Sequence, residues 1–243
     1  MISFIVPAYN EARLLAATLP SLHIAAQAAG ETYEVIVVND ASSDQTALIA
    51  EAEGARVINV AHRHIAATRN SGAKEAKGDM FIFVDADTFV NEPVIRGAVQ
   101  ALRSGAAGGG SAVRFDEPVP AYARVLLPLL LSVFRTAKFA SGCFLFCTRN
   151  AFEAIGGFDE TMFGAEEIAM SRALKRQGRV VILKDAVVTS GRKLRAYSGW
   201  ELLLTSFKLA MRGTKSVRSR KGMELWYEDR ADDPAKPGIR NSQ

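Results

Sequence analysis

The sequence predicts an α/β fold with a mainly parallel central sheet flanked by helices in three layers. Short apolar runs such as Ile2-Ser3-Phe4-Ile5-Val6, Glu34-Val35-Ile36-Val37-Val38 and Met80-Phe81-Ile82-Phe83-Val84 alternate with longer stretches of helical composition. Strands of a parallel sheet are covered on both faces and read as near-continuous apolar runs, and repeated βα order favours such a sheet over a helical bundle. Each run also ends in a polar cluster, and the carboxyl ends of strands are where open α/β sheets bind ligands. Apolar residues make up 49% of the 243, enough for a sizeable core.

The first strand, from Ile2, exits at Pro7-Ala8-Tyr9-Asn10, and Glu11 to about Gly30 reads as a helix interrupted or bent near Pro20. The second strand exits through Asn39-Asp40-Ala41-Ser42-Ser43-Asp44-Gln45-Thr46, where Ser42 and Gln45 have capping-box spacing for another helix. Val57–Val60 is a shorter strand, and Ala66–Ala76 forms the crossover helix into the strand closed by Asp85-Ala86-Asp87. Ala140–Cys147 reads as a strand, Ala154–Glu160 as a turn-rich segment and Gly164–Gly178 as an amphipathic helix. Val180–Leu183 is a further strand, Val187–Arg195 ends in a basic loop, and Tyr197–Arg212 permits one more amphipathic helix. These elements read as one domain over 1–226, with a first half at about 1–110 and a second at about 111–226. Residues 227–243 lack apolar periodicity and read as a flexible tail.

Composition removes several function classes. A net charge of +4, with no arginine tract interleaved with aromatics, argues against nucleic acid. Cys143 and Cys147 lie four apart in an apolar segment and read as buried reduced thiols in preference to a disulfide or a metal site. The greasy run Val125–Phe134 is too short to cross a bilayer, which takes roughly 20 residues. Its leading reading is core packing or a wall beside the substrate; peripheral membrane contact is the alternative. The absence of a signal-like start predicts a cytoplasmic location, with the inner face of a membrane as a possible seat.

Asp85 and Asp87 place two carboxylates at one strand end, where a divalent cation sharing its ligands with phosphate oxygens would neutralise a nucleoside diphosphate. An acidic turn after a strand is the plain alternative. No Gly-x-Gly-x-x-Gly follows the first strand, and Ser71-Gly72-Ala73-Lys74 lacks Walker A spacing. Asp40 can accept a base N–H or serve as a turn residue. His23 reads as a helix-surface residue, while His62 and His64 favour local hydrogen bonds over metal ligation.

In order along the chain, Ile5-Val6-Pro7-Ala8-Tyr9-Asn10-Glu11, Val38–Thr46, Ala67-Thr68-Arg69-Asn70-Ser71-Gly72 and Asp85-Ala86-Asp87 resemble a family 2 glycosyltransferase of the GT-A fold, inverting and of the Asp-X-Asp type. The resemblance covers most of residues 1–190. It implies that Asp40 contacts the nucleobase, commonly uracil, and that Arg69 lies near the nucleotide. It also implies that Asp87 is the principal contact for Mg²⁺ or Mn²⁺, with Asp85 supporting the ribose or the metal. Pro7, Ala8, Tyr9, Glu11 and Ala86 join this donor set, and Gly142 the acceptor side.

The helix that opens at Glu166-Glu167 carries both acids in its first turn, where the terminal field favours anions and lowers their pKa. The family commonly has Glu-Asp here, the second acid serving as base, so the resemblance implies Glu167 as catalytic base and Glu166 as an acceptor-orienting group or the partner of a basic neighbour. Glu167 is one methylene longer than the usual aspartate. Thr189 and Ser190 stand where related enzymes often place a metal-binding histidine, while Arg192 is suited to a donor diphosphate. The implied reaction moves a sugar from a nucleoside-diphosphate sugar, UDP-linked by preference, to a hydroxyl acceptor that includes lipid-linked alcohols among its candidates. A catalytically weak sugar-nucleotide-binding protein and a nucleotidyltransferase are the rival classes.

Overall fold

The computed structural model describes residues 1–196, so the expected Tyr197–Arg212 helix and the 227–243 tail lie outside the described residues. The donor half runs β1 (Ile2–Ala8), α1 (Ala12–Ala29), β2 (Tyr33–Asp40), α2 (Thr46–Ala52), β3 (Arg56–Val60), α3 (Ile65–Glu75), β4 (Met80–Val84), β5 (Thr88–Phe89) and α4 (Glu92–Arg103). After it come β6 (Ala106–Phe115), α5 (Ala121–Thr136), β7 (Phe144–Thr148), α6 (Arg149–Ala154), α7 (Glu166–Gln177), β8 (Arg179–Thr189) and α8 (Arg192–Ala196).

The strands form one sheet in the order β3-β2-β1-β4-β7-β6-β8-β5. β1 pairs in parallel with β2 and β4, and β2 with β3. β7 then enters antiparallel to both β4 and β6, while β6 and β8 are parallel. The expected α/β class and helix-flanked sheet hold, but the three-layer arrangement needs correction: parallel pairing dominates the first half, the second half is mixed, and the sheet curls into a half-barrel. Strand twist accumulates across the sheet, and register shifts in β6 at Ala106/Gly108 and Gly110/Ala112 bend it further.

Each face of the sheet has its own apolar cluster. One packs Phe4, Val37, Ile82 and Phe146 against Leu15, Leu19 and Leu22 of α1 and Val94, Ile95 and Val99 of α4. The other packs Ile5, Ile36, Phe81 and Phe83 against α3, Phe152 of α6, and Met170 and Leu174 of α7. Each such side chain taken from water contributes about 1.5–3 kcal/mol. Of the interruption or bend expected near Pro20, the interruption does not occur: α1 runs through the proline. Burial of Leu15, Leu19, Leu22 and Ala26 on both sides of it offsets the one backbone hydrogen bond that proline removes.

Three further expectations change. The Ser42/Gln45 capping box does not form: Ser42 Oγ accepts from the Asn10 amide at 3.0 Å, and Asp44 Oδ1 accepts from the Thr46 amide at 3.0 Å. The strand expected over Ala140–Cys147 begins only at Phe144, after a turn. Val180–Leu183 and Val187–Thr189 belong to one continuous strand, β8.

β6 contains Gly108-Gly109-Gly110, a composition suggestive of a loop. The glycines let it lie tightly between its neighbours. A Cβ at Gly109 would fall 1.9 Å from the Val181 carbonyl oxygen, and one at Gly108 would fall 2.5 Å from that of Phe146. The run Val125–Phe134 is not core: it forms most of α5, in which only Ala123 is fully buried.

Candidate active site

β1 has β2 on one side and β4 on the other, so successive crossovers leave it in opposite directions. That is the switch point at which parallel sheets open a ligand crevice. The register aligns Ala8 with Asn39 and Ile5 with Phe83, so Pro7, Ala8, Tyr9, Asp40 and Asp85 leave the sheet along one edge. Ala86, buried behind them, is held by a 2.8 Å bond from Thr18 Oγ1 of α1 to its carbonyl. The Asp85 amide donates to Cys143 O at 3.1 Å, which joins this edge to the turn before β7.

Two arginines separate the two aspartates of the motif. Arg69, on α3 and 2% exposed, donates to Asp85 Oδ1 at 2.9 Å, to Glu166 Oε1 at 2.8 Å and to the Gly142 carbonyl at 2.9 Å. Burial alone would weaken its protonation, but Asp85 and Glu166 outweigh it and hold the guanidinium charged. Arg192 binds both oxygens of Glu11, at 2.9 and 2.6 Å, and reaches Asp87 Oδ2 at 3.1 Å. Asp87 Oδ1 lies 3.4 Å from the Thr88 hydroxyl and 3.3 Å from that of Thr189. Among the described residues no three His, Cys, Asp or Glu side chains gather into a metal-ligating group.

α7 brings a different pair of acids to the same edge. Glu166 is buried and committed to Arg69, while Glu167 is half-buried. A Cβ at Gly142 would lie 3.6 Å from Arg69 Nη2 and 3.9 Å from Glu167 Cγ, so Glu167 borders the Asp85–Arg69 corner. The expected lowering of its pKa by the helix terminus is overturned. Burial first, and then the neighbouring Glu166 charge, push Glu167 up to about 8 against the pull of backbone N–H and Arg69. The terminus acts on both acids, but Glu166 takes the arginine and leaves its neighbour to bear the desolvation.

The family model described as "Glycosyl transferase family 2" matches residues 3–156, more than half of the chain, and takes in the strand-end residues from Pro7 to Gly142 but not Glu166, Glu167 or Arg192. The chain belongs to glycosyl transferase family 2. Among curated relatives, an undecaprenyl-phosphate 4-deoxy-4-formamido-L-arabinose transferase from Aeromonas hydrophila is 36% identical over 94 residues, covering 36% of this chain and 29% of that enzyme. A dolichol-phosphate mannosyltransferase from Pyrococcus furiosus is 30% identical over 109 residues, 43% of this chain and 30% of that one. The match thus spans less than a third of either relative. A Pyrobaculum calidifontis mannosyltransferase solved with GDP-Man and Mn²⁺ has a TM-score of 0.65 at 21% identity, covering 92% of this chain and 69% of the other. Residues 1–349 of Staphylococcus aureus TarS give 0.61 at 21%, covering 79% and 61%. At these identities the two structures speak for the shared GT-A fold.

Other family 2 motif residues in this chain are committed to framing the crevice. Asp40 is buried and accepts from the Arg63 amide at 2.8 Å, the His64 amide at 3.1 Å and the Thr68 hydroxyl at 2.8 Å, fixing the β3–α3 connection. A carboxylate has about four acceptor sites, so capacity remains for a base N–H. Arg63 stacks over the Tyr9 ring at 3.5 Å. Asn10, Ala41, Arg63 and Ala165 all have positive φ, between 50° and 58°, and adjoin Tyr9, Asp40, His64 and Glu166 at this edge. Such backbone is costly for side-chain-bearing residues and concentrates where surrounding structure over-determines it.

His62 Nε2 lies 2.9 Å from Ser71 Oγ, and His23 Nδ1 lies 2.9 Å from the Tyr33 hydroxyl, in line with local bonding. Both cysteines are free thiols, and burial, followed by the Asp85 charge, pushes Cys143 up to about 12. Sequence reasoning quoted Asn70 only as part of a motif. Its side chain accepts from the Phe158 amide at 2.9 Å and donates to Phe158 O at 2.9 Å and Glu160 at 2.8 Å, clasping the turn between α6 and α7. A polar residue following an arginine on a crossover helix was the available signal.

Proposed function

We propose that this chain is an inverting glycosyltransferase that moves a sugar from a nucleoside-diphosphate sugar, UDP-linked, to a hydroxyl acceptor by one direct displacement. The observation that carries this reading is Glu167, a carboxylate held near neutrality beside the Asp85–Arg69 corner. A base poised near the working pH accepts a hydroxyl proton with the least compromise between ionised fraction and driving force. Glu167 takes that proton as the acceptor oxygen attacks the anomeric carbon. Arg69 pairs with Glu166 and so positions α7. Pro7, Ala8, Tyr9, Glu11, Asp40 and Ala86 frame the donor, while Gly142 and Glu166 face the acceptor.

The donor set suits Mg²⁺ or Mn²⁺, since such cations take one or two carboxylates and complete their shells with substrate phosphates and water. Asp87 would hold the ion with Asp85 beside it, a corner whose carboxylates already face two guanidinium groups. When bound, the cation supplies charge stabilisation to the departing diphosphate. Arg192, beside Asp87, is placed to exchange its carboxylate partners for diphosphate oxygens. In this reading the donor and acceptor halves of the catalytic domain meet near residue 110.

The test pairs donor binding with transfer. A panel of nucleoside-diphosphate sugars is titrated against wild type, Asp40→Ala and Asp87→Ala with each metal. Selective binding lost in the variants supports the donor pocket. Glu167→Gln should retain donor binding and lose transfer, and normal transfer by that variant would remove Glu167 from its role. Donor binding with no turnover across diverse acceptors would leave a sugar-nucleotide-binding protein.

A further inference from the structure

α5 turns an apolar stripe outward. Val125 is 74% exposed, Leu129 68%, Leu130 51% and Val133 55%, with Leu126 between them at 39%. At 100° per residue these five share one face, away from the side where Ala123, Leu127, Leu131 and Phe134 meet the body. The surroundings are basic. From Pro118 to Phe152 the sequence has no acidic residue, while Arg124 stands at one end of the helix and Arg135 and Lys138 at the other. Arg172 and Lys175 extend the basic end, both lying over the Phe139 ring, and Lys175 bonds the Ala137 carbonyl. Partial burial, then the charges of Arg172 and Lys138, lower the Lys175 pKa, which marks these cations as a cluster.

We propose that α5 is a membrane-docking helix that lies in the plane of an anionic bilayer, its Val125–Val133 stripe among the acyl chains and its flanking cations on the headgroups. Sixteen residues make about 24 Å of helix, short of a hydrocarbon core of about 30 Å. No helix among the described residues is long and apolar enough to cross a membrane. An exposed apolar stripe with basic flanks is the pattern of an in-plane helix. A second copy is the weaker occupant, because it offers the Arg135, Lys138, Arg172 and Lys175 cluster no net anionic face: the other end of α5 carries Arg124 paired with Glu117 at 3.8 Å. Beneath the helix, a cavity of about 250 Å³ runs past Leu131, Phe134 and Phe139 to Ser141, next to the Gly142 carbonyl that Arg69 holds. Docking through α5 would therefore bring a membrane-borne alcohol to the proposed active site. That consequence rests on the transferase reading, whereas the docking does not.

The experiment is co-sedimentation of the full chain with vesicles of phosphatidylcholine alone and of phosphatidylcholine mixed with phosphatidylglycerol. Wild type should partition onto the anionic vesicles and release in high salt. Arg135→Glu/Lys138→Glu should weaken partition by roughly tenfold or more, and Leu129→Asp/Leu130→Asp should abolish it. The milder Leu129→Ser should weaken it at an unchanged melting temperature, which separates loss of docking from loss of fold. Wild-type partition by Leu129→Asp/Leu130→Asp would overturn the proposal, as would absence of binding to either vesicle. A dimer of the full chain that the same double variant dissociates would also overturn it, in favour of a second copy.

Discussion

Arg69 and Glu166, 97 positions apart in sequence, form a buried ion pair at 2.8 Å that ties α3 to the first turn of α7. The same guanidinium reaches Asp85, so one side chain fixes the distance between the Asp85 and Glu166 carboxylates. Removing it would leave the Glu166 carboxylate without its cation in a site 6% exposed. Breaking a buried pair from one side costs about 3–5 kcal/mol, far more than the pair gains over an apolar substitute. Arg69→Ala should therefore lower the unfolding free energy by about that amount in urea titration. Glu166→Gln, which keeps a neutral hydrogen-bond partner, should cost clearly less.

If Glu167 is the proposed base, transfer should depend on pH. With its pKa pushed up to about 8, the fraction able to accept a proton rises through neutral pH, so kcat/KM should climb from pH 6.5 and level off above about 8.5. Glu167→Gln should reduce transfer by about 10²–10⁴-fold and flatten the limb. A wild-type limb centred near pH 4.5 would mean that donor or acceptor binding relieves the burial.

The same shift links to stability. Glu167 has a folded pKa of about 8 against an ordinary 4.5. Between those values the native state holds a proton that the unfolded chain has lost, and stability falls as pH rises through that window. Below pH 4.5 both states are protonated and the penalty vanishes. Glu167→Gln should thus match wild type near pH 4.5 and exceed it at pH 8.5 in thermal midpoint. Equal midpoints at both pH values would place the carboxylate in a better solvated setting.

The strands, and the polar clusters at their ends, were legible because period and composition act locally: Asp85, Asp87, Asp40 and Tyr9 all sit on the predicted edge. Their partners were not. The Glu11–Arg192 pair spans 181 positions, and no local rule selects one arginine in the basic loop over its neighbours. The direction of the Glu167 shift was misread because a helix terminus is visible in sequence while competition for one arginine is not. The apolar run of α5 pointed to the core by composition alone, since its spacing fits a buried wall and an outward stripe equally well.

Gly109 tests the sheet. A side chain there would press against the Val181 backbone at 1.9 Å, and backbone in a ladder has little room to yield. Gly109→Ala should destabilise by about 1–3 kcal/mol or more, as overpacking does, even though alanine is the better residue in most regular structure. Gly105→Ala, where a Cβ would meet nothing within 4 Å, should pay only for its positive φ of 82°. The comparison in urea separates contact from conformation.

Arg192 occupies the charge position that a divalent cation would claim at Asp87. Its guanidinium lies 3.1 Å from Asp87 Oδ2 and is anchored by two bonds to Glu11, itself 3% exposed. Two positive groups on one carboxylate oppose each other by several kcal/mol at the effective dielectric of a partly buried site. Without a nucleotide, Arg192→Ala should bind Mn²⁺ about tenfold or more tightly than wild type, read by calorimetry or by the loss of free-ion paramagnetic signal. Arg192→Lys should fall between them, because it keeps the charge and loses the fork that holds it on Glu11. Asp87→Ala should remove the gain when combined with Arg192→Ala. If donor diphosphate is what draws Arg192 away, adding a nucleoside diphosphate should raise Mn²⁺ affinity in wild type and change it little in Arg192→Ala. Equal Mn²⁺ affinity in wild type and Arg192→Ala would mean that the arginine and the cation use different faces of Asp87.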